Sequence, residues 1–168
     1  MKTKLFLTVA LVALSVVGFG QQGSLWDRWS WIIGEWHGEG SGKPGEGGGV
    51  FSFALDLDGK ILVRKSHTEF PATEGKPLAI HDDLMVVYLD YTGTPSKAIY
   101  FDNEGHTINY NISYAEKCIV MTSEAIPNVP TFRLTYTLLD TETVNTKFEM
   151  SRDGQTFMTY VEGKSKKK

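Results

Sequence analysis

From Val50 onward the chain is a run of short strand-like segments punctuated by turn residues, with no helical segment between them. The segments are Val50 to Asp56, Lys60 to Phe70, His81 to Asp90, Lys97 to Asp102 and His106 to Ser113. They continue as Lys117 to Ser123, Phe132 to Leu139, Val144 to Met150 and Phe157 to Glu162. Between them lie Asp58-Gly59, the loop Pro71 to Pro77, Thr92-Gly93, Asn103-Glu104-Gly105, Ala115-Glu116, Pro127 to Pro130, Asp140-Thr141 and Asp153-Gly154. Parallel pairing needs long crossovers, so connections this short dictate an antiparallel sheet. A meander of this length removes its edges by closing on itself. With one more strand ahead of Val50, the expected fold is all-β. It is an antiparallel up-and-down closed β-barrel of about ten strands with a short N-terminal helix. A two-layer sandwich satisfies the same spacing and is the alternative.

The additional strand lies in Gly34-Glu35-Trp36-His37-Gly38-Glu39-Gly40-Ser41-Gly42. Alternation sends Trp36, Gly38, Gly40 and Gly42 to one face and Glu35, His37, Glu39 and Ser41 to the other. If the indole points inward, bare backbone lies above it, and a narrow barrel keeps room for a ligand. Glycines that only let the strand coil are the plainer alternative. Ahead of it, Leu25, Trp26, Trp29, Ile32 and Ile33 recur at helical spacing after a capping Ser24, which predicts a short helix covering one barrel mouth.

Residues 1–20 begin with Met1-Lys2-Thr3-Lys4, continue as an apolar run and end in Gly18-Phe19-Gly20. That is the pattern of a secretory signal peptide, leaving 21–168 as a single domain. The run is short for a membrane span and no cysteine follows it directly, so the expectation is a secreted or periplasmic protein without stable membrane insertion. A net charge of -3 and no basic face argue against nucleic acid as a partner. The one cysteine, Cys118, forms no internal disulfide and reads as a buried, inert thiol in an apolar strand. The tail Lys164-Ser165-Lys166-Lys167-Lys168 reads as a solvated, frayed end.

Polar residues inside a barrel point to function. Leu62 to Glu69 carries Arg64 on one face and Lys65 with His67 on the other, so either orientation brings a cation inward. Such a cation needs a partner carboxylate or an anionic ligand, unless it lies at a wet rim. His106 shares its face with Ile108, Tyr110 and Ile112 and follows Asp102, an acid–histidine pair able to move protons, or simply a capped hairpin tip. His37 is expected outside, and His81 beside Asp82-Asp83 reads as a solvated strand start. Tyr88, Tyr100, Tyr110 and Tyr136 supply ring surface for a pocket or for plain core. Nucleotide loops, serine elbows and zinc clusters are not evident.

The Gly34-x-Trp36-x-Gly38-x-Gly40 motif, the short helix and the strand count resemble the calycin-like barrels, namely lipocalins, fatty-acid-binding proteins and especially the nitrobindin-like group. The resemblance implies an interior binding cavity and, for nitrobindins, haem held by a histidine near the C-terminus. This chain has no histidine after His106, and Met158 and Tyr160 of its last strand, the side chains that could otherwise ligate iron, sit in no motif that predicts it, so haem is not carried over and a haem barrel with a non-histidine ligand stays only a further alternative. The expectation is an exported barrel holding a small, partly apolar ligand, which an inward cation would let be anionic. Its lining is drawn from Trp36, Gly38, Gly40, Arg64, His67, Tyr88, Tyr100, His106, Tyr110 and Tyr136. The alternative is an enzyme that uses an interior histidine with an acid. A third is a module that docks a partner through the Trp26/Trp29 face.

Overall fold

The computed structural model describes residues 25–39, 48–72 and 77–168, so the expected signal peptide at residues 1–20, Ser24, Gly40 and Gly42 lie outside the described residues. Ten strands follow in chain order: β1 (Gly34–Gly38), β2 (Gly49–Asp56), β3 (Ile61–Phe70), β4 (Ala79–Tyr88) and β5 (Lys97–Asp102), then β6 (Thr107–Ala115), β7 (Cys118–Ser123), β8 (Thr131–Asp140), β9 (Thr143–Ser151) and β10 (Met158–Lys167). Each pairs antiparallel with its sequence neighbours, and β10 pairs with β1 to close an up-and-down barrel. The sandwich is excluded by that last pairing.

Closure comes from the lysine-rich tail, which is not frayed. Trp36 stands opposite Lys167, His37 opposite Lys166 and Gly38 opposite Ser165. Alternation explains how so polar a segment serves as a wall strand: Ser165 turns inward and is buried, while Lys166 and Lys168 turn outward toward Glu39 and Glu35, at 4.0 and 3.0 Å. Lysine composition read without a partner strand conceals this role.

The expected helix is a single 3-10 turn, Asp27–Trp29, flanked by further tight turns. A segment this short cannot sustain an α-helix by propensity, and its indoles fix it instead. Trp26 Nε1 donates to Gly59 O at 2.8 Å, Trp29 Nε1 to the Tyr114 hydroxyl at 2.7 Å, and Trp36 Nε1 to Ile32 O at 2.7 Å. Trp26, Trp29 and Ile32 are all buried, so the segment plugs one end of the barrel and does not present the Trp26/Trp29 face to a partner. Gly34, at φ +124°, makes the turn from plug to wall that a side chain would strain.

Behind the plug the interior is filled by aromatic rings. Trp36 stacks on Phe51 with centroids 6.3 Å apart, and Tyr136 contacts Phe51 and Phe53 at 5.8 and 5.5 Å. Cys118 is half-buried and faces outward, where the Thr137 hydroxyl lies 3.7 Å from its sulfur; it is not the buried core thiol expected.

Truncation after Gly163 should destabilise the barrel by about 3 kcal/mol or more, since it deletes the seam's backbone hydrogen bonds. The triple variant Lys164→Ser, Lys166→Ser, Lys168→Ser should leave the urea midpoint nearly unchanged, because it keeps the backbone pairing. Equal midpoints for the truncated and full chains would contradict the closure.

Candidate functional site

The barrel interior changes character away from the plug, and the change is set by alternation on two facing walls. Along β8 to β10, inward from the far end, the paired rows are Phe132 with Met150, then Leu134 with Phe148 and Val161, then Tyr136 with Thr146 and Gly163. Along β3 to β5 the inward rows are Ser66 with Asp83 and Asp102, then Arg64 with Met85 and Tyr100. One wall is apolar down to a polar row, and the other is polar and charged.

Arg64 turns inward and is 7% exposed. Its Nη1 donates to Asp83 Oδ1, the carboxylate diagonally across from it on β4, whose side chain is 5% exposed. The guanidinium lies over the Phe51 ring at 5.5 Å. Burial pushes the Asp83 pKa up, while Arg64 and His81 pull it back. The Arg64 pKa is raised: burial opposes its charge, but the phenol of Tyr136 and the Asp83 carboxylate outweigh it.

Three buried polar atoms among the described residues close no hydrogen bond: Arg64 Nε, the Tyr136 hydroxyl and Thr146 Oγ1. Tyr136 and Thr146 are register partners, and the Tyr136 phenol leans on the Arg64 guanidinium, feeling its charge and making a side-chain contact that falls short of a normal hydrogen bond. Burial pushes the Tyr136 phenol up to about 12, with Arg64 acting against it, so it stays protonated near neutrality. Buried polar groups are nearly always satisfied, and each one left open costs about 1–3 kcal/mol. Beside them, a Cβ built on Gly163 meets no atom within 4 Å. Open space therefore lies beside Thr146, the register partner of Gly163.

Toward the far end the polar wall continues as a string. His81 turns inward, its Nε2 3.0 Å from the Tyr100 hydroxyl and 3.9 Å from Asp83 Oδ2, with Nδ1 3.2 Å from Glu104. The Tyr100 hydroxyl donates to Asp102 Oδ2 at 3.2 Å, and that oxygen meets His106 Nδ1 at 2.8 Å. Burial and the carboxylates of Asp83 and Asp102 raise the Tyr100 pKa above the phenol range. Asp102 also accepts the Glu104 and His106 amides at 3.0 and 2.9 Å, which, with His106, outweighs its burial and lowers its pKa.

Of the residues singled out from sequence, Arg64, Tyr100, Tyr110 and Tyr136 share this interior. Trp36 is interior but belongs to the plugged end, where Lys167 Nζ lies 5.3 Å from its ring. Gly38 lines the closing seam opposite Ser165, and Gly40 lies outside the described residues. His67 and Tyr88 are on the outer face: His67 is held by Asp82 at 2.6 Å and Glu69 at 3.2 Å, and Tyr88 stands opposite Lys97. His106 is an exposed rim residue bonded to Asp102, the capped hairpin tip. Met158 and Tyr160 are 59% and 72% exposed at the far end.

Sequence reasoning passed over Thr146 and Gly163, and it took His81 with Asp82-Asp83 for a solvated strand start, whereas His81 and Asp83 turn inward and the Asp83 side chain is buried. The signal for Asp83 and His81 was parity, since both share the inward face of Met85 and Val87. Thr146 and Gly163 carried no local signal, because their role depends on what faces them. Two hollows lie away from this interior among the described residues. One of about 180 Å³ is lined by Arg28, Trp31, Tyr114 and Cys118. The other, about 220 Å³, includes Glu35, Ser52, Lys65 and His67 from the outer face of β1 to β3.

The arrangement defines a class: a plugged up-and-down barrel whose interior carries a neutralised ion pair and unsatisfied polar groups. No protein-family model and no curated protein matches the chain.

His106 gains its partner on folding, so its pKa lies above 6.5 in the folded protein. Its stabilising share is complete below 6.5 and is lost as pH rises through the raised value; that of Asp102 is present above 3.8 and is lost as pH falls through its lowered one. An NMR titration should show His106 and His67 with midpoints above 6.5. Asp102→Asn should return His106 to the ordinary value, and an unchanged midpoint would refute the pairing.

Proposed function

We propose that this protein is an exported barrel that holds a small, partly apolar molecule in its interior, against Arg64 Nε, Tyr136 and Thr146. The single observation behind this reading is the set of unsatisfied buried polar atoms beside the open position at Gly163. Pockets that bind small molecules combine apolar walls with a few convergent polar groups, as the β8–β10 wall and the Arg64 row do. The closed meander is compatible with a calycin-like barrel, and the signal-like leader supports export.

Native mass spectrometry of the exported protein should reveal a co-purifying small molecule. Gly163→Leu should evict it, and identical occupancy in both proteins would sink the reading. Tyr136→Phe should raise the urea stability of the ligand-free barrel by about 1 kcal/mol, by removing an unmet hydroxyl, and weaken retention of the molecule.

A second reading, an enzyme, rests on His81, an inward histidine within reach of the Tyr100 hydroxyl and the Glu104 carboxylate. It expects His81→Asn to abolish conversion of the bound molecule. A co-purified molecule that stays chemically unchanged during prolonged incubation with the native protein would eliminate it.

A further inference from the structure

The charge balance of the interior bears on which molecule fits, a question that rests on the binding reading just given. We infer that the site selects a neutral molecule bearing a hydrogen-bond acceptor, an amide or ketone on an apolar stem, over a carboxylate of the same shape.

The positive charge of Arg64 is already matched by Asp83, through Nη1. With Nη1 engaged by Asp83, the guanidinium keeps at Nε a buried N–H that no group of the chain accepts. A neutral carbonyl oxygen satisfies that donor without bringing charge into a site shut off from water. The Tyr136 and Thr146 hydroxyls, on the facing wall, can each donate to the same group or accept from an amide N–H.

A carboxylate meets a different field. Asp83 and Asp102 have side chains 5% and 4% exposed, so a third negative charge would be desolvated beside two others. The groups facing it would be Arg64, with its charge already engaged, and His81, whose ring nitrogens lie near Tyr100, Asp83 and Glu104. Lys167 is occupied at the plugged end, over Trp36. The inward cation does not make this an anion site, because its counter-ion is part of the chain.

The stem follows from the other wall. Phe132 and Phe148 are stacked, with centroids 5.8 Å apart and planes inclined by 11°, and Leu134 and Val161 continue the surface down to Gly163. A flat or straight apolar group along that wall would place its polar head at the row of Tyr136, Thr146 and Gly163.

The test is calorimetry at pH 7.5 on the full exported chain, cleared of any co-purified molecule. The probes are three matched pairs: benzamide and benzoate, cinnamamide and cinnamate, octanamide and octanoate. In the best-fitting pair the amide should bind at least about tenfold tighter than its acid. Asp83→Asn frees the guanidinium charge and should bring the acid level with the amide or ahead of it. The double variant Arg64→Leu, Asp83→Leu leaves no lone buried charge and should abolish the preference; it provides the comparison if Asp83→Asn fails to fold. A carboxylate binding as tightly as its amide in the native protein, or a preference that survives in the variants, overturns the inference while leaving the binding reading intact. Binding of none of the six probes to any of the proteins counts against the binding reading itself.

Discussion

Everything described inside this protein depends on the pairing of β1 with β10. The antiparallel meander from β1 to β10 would otherwise leave two exposed edges, each a row of unmet amides and carbonyls. Closing the ring satisfies both edges at once and turns one sheet face into an interior. That face then holds Trp36, Phe51, Phe53 and Tyr136 away from water. The strand that completes it ends in lysines, which is tolerable because a wall strand has two sides. Ser165 serves the interior, while Lys166 and Lys168 serve the solvent beside Glu39, just past β1, and the outward Glu35 of β1.

A closed wall makes buried charge expensive, and the Arg64–Asp83 pair is how this interior accommodates it. Ion pairs out of water contribute little net stability, because desolvation offsets their attraction, yet removing one partner is severe. The pair is thus poorly explained as a stabilising device. Neighbouring groups are left unsatisfied where an ordinary core would carry leucine or phenylalanine, and a small residue, Gly163, stands where a side chain would fill the gap. Stability is forgone at one level of the barrel and restored at another, in the plug of Trp26, Trp29 and Ile32.

The strands were legible because alternation and turn chemistry are local. β2, β5, β7 and β8 fall within a residue or two of where their segments predict, and the face that parity gives to Trp36 is the one the closed barrel turns inward. The plug was legible as an apolar segment but not as a 3-10 turn, since its winding is dictated by Gly59, Tyr114 and the barrel rim, all remote in sequence. The candidate site was half legible. Arg64, Tyr100, Tyr110 and Tyr136 were visible as unusual or ring-bearing strand residues, while His67 and His106 drew attention by residue type and lie outside the interior. Asp83 was overlooked beside Asp82, because adjacent aspartates read as surface until register assigns them opposite faces.

The sequence alone determined an all-β chain, its antiparallel meander and which residues of its first strand share a face, because turn length and residue parity act over a few neighbouring positions. Tertiary structure decided which cation of β3 turned inward, that Asp83 neutralised it, that Thr146 and Gly163 faced Tyr136, and that the lysine tail closed the wall. Those outcomes depend on register between strands and on contacts across the barrel. They are set by a cooperative balance of burial and hydrogen bonding over the whole ring, and no stretch of the chain carries that balance by itself.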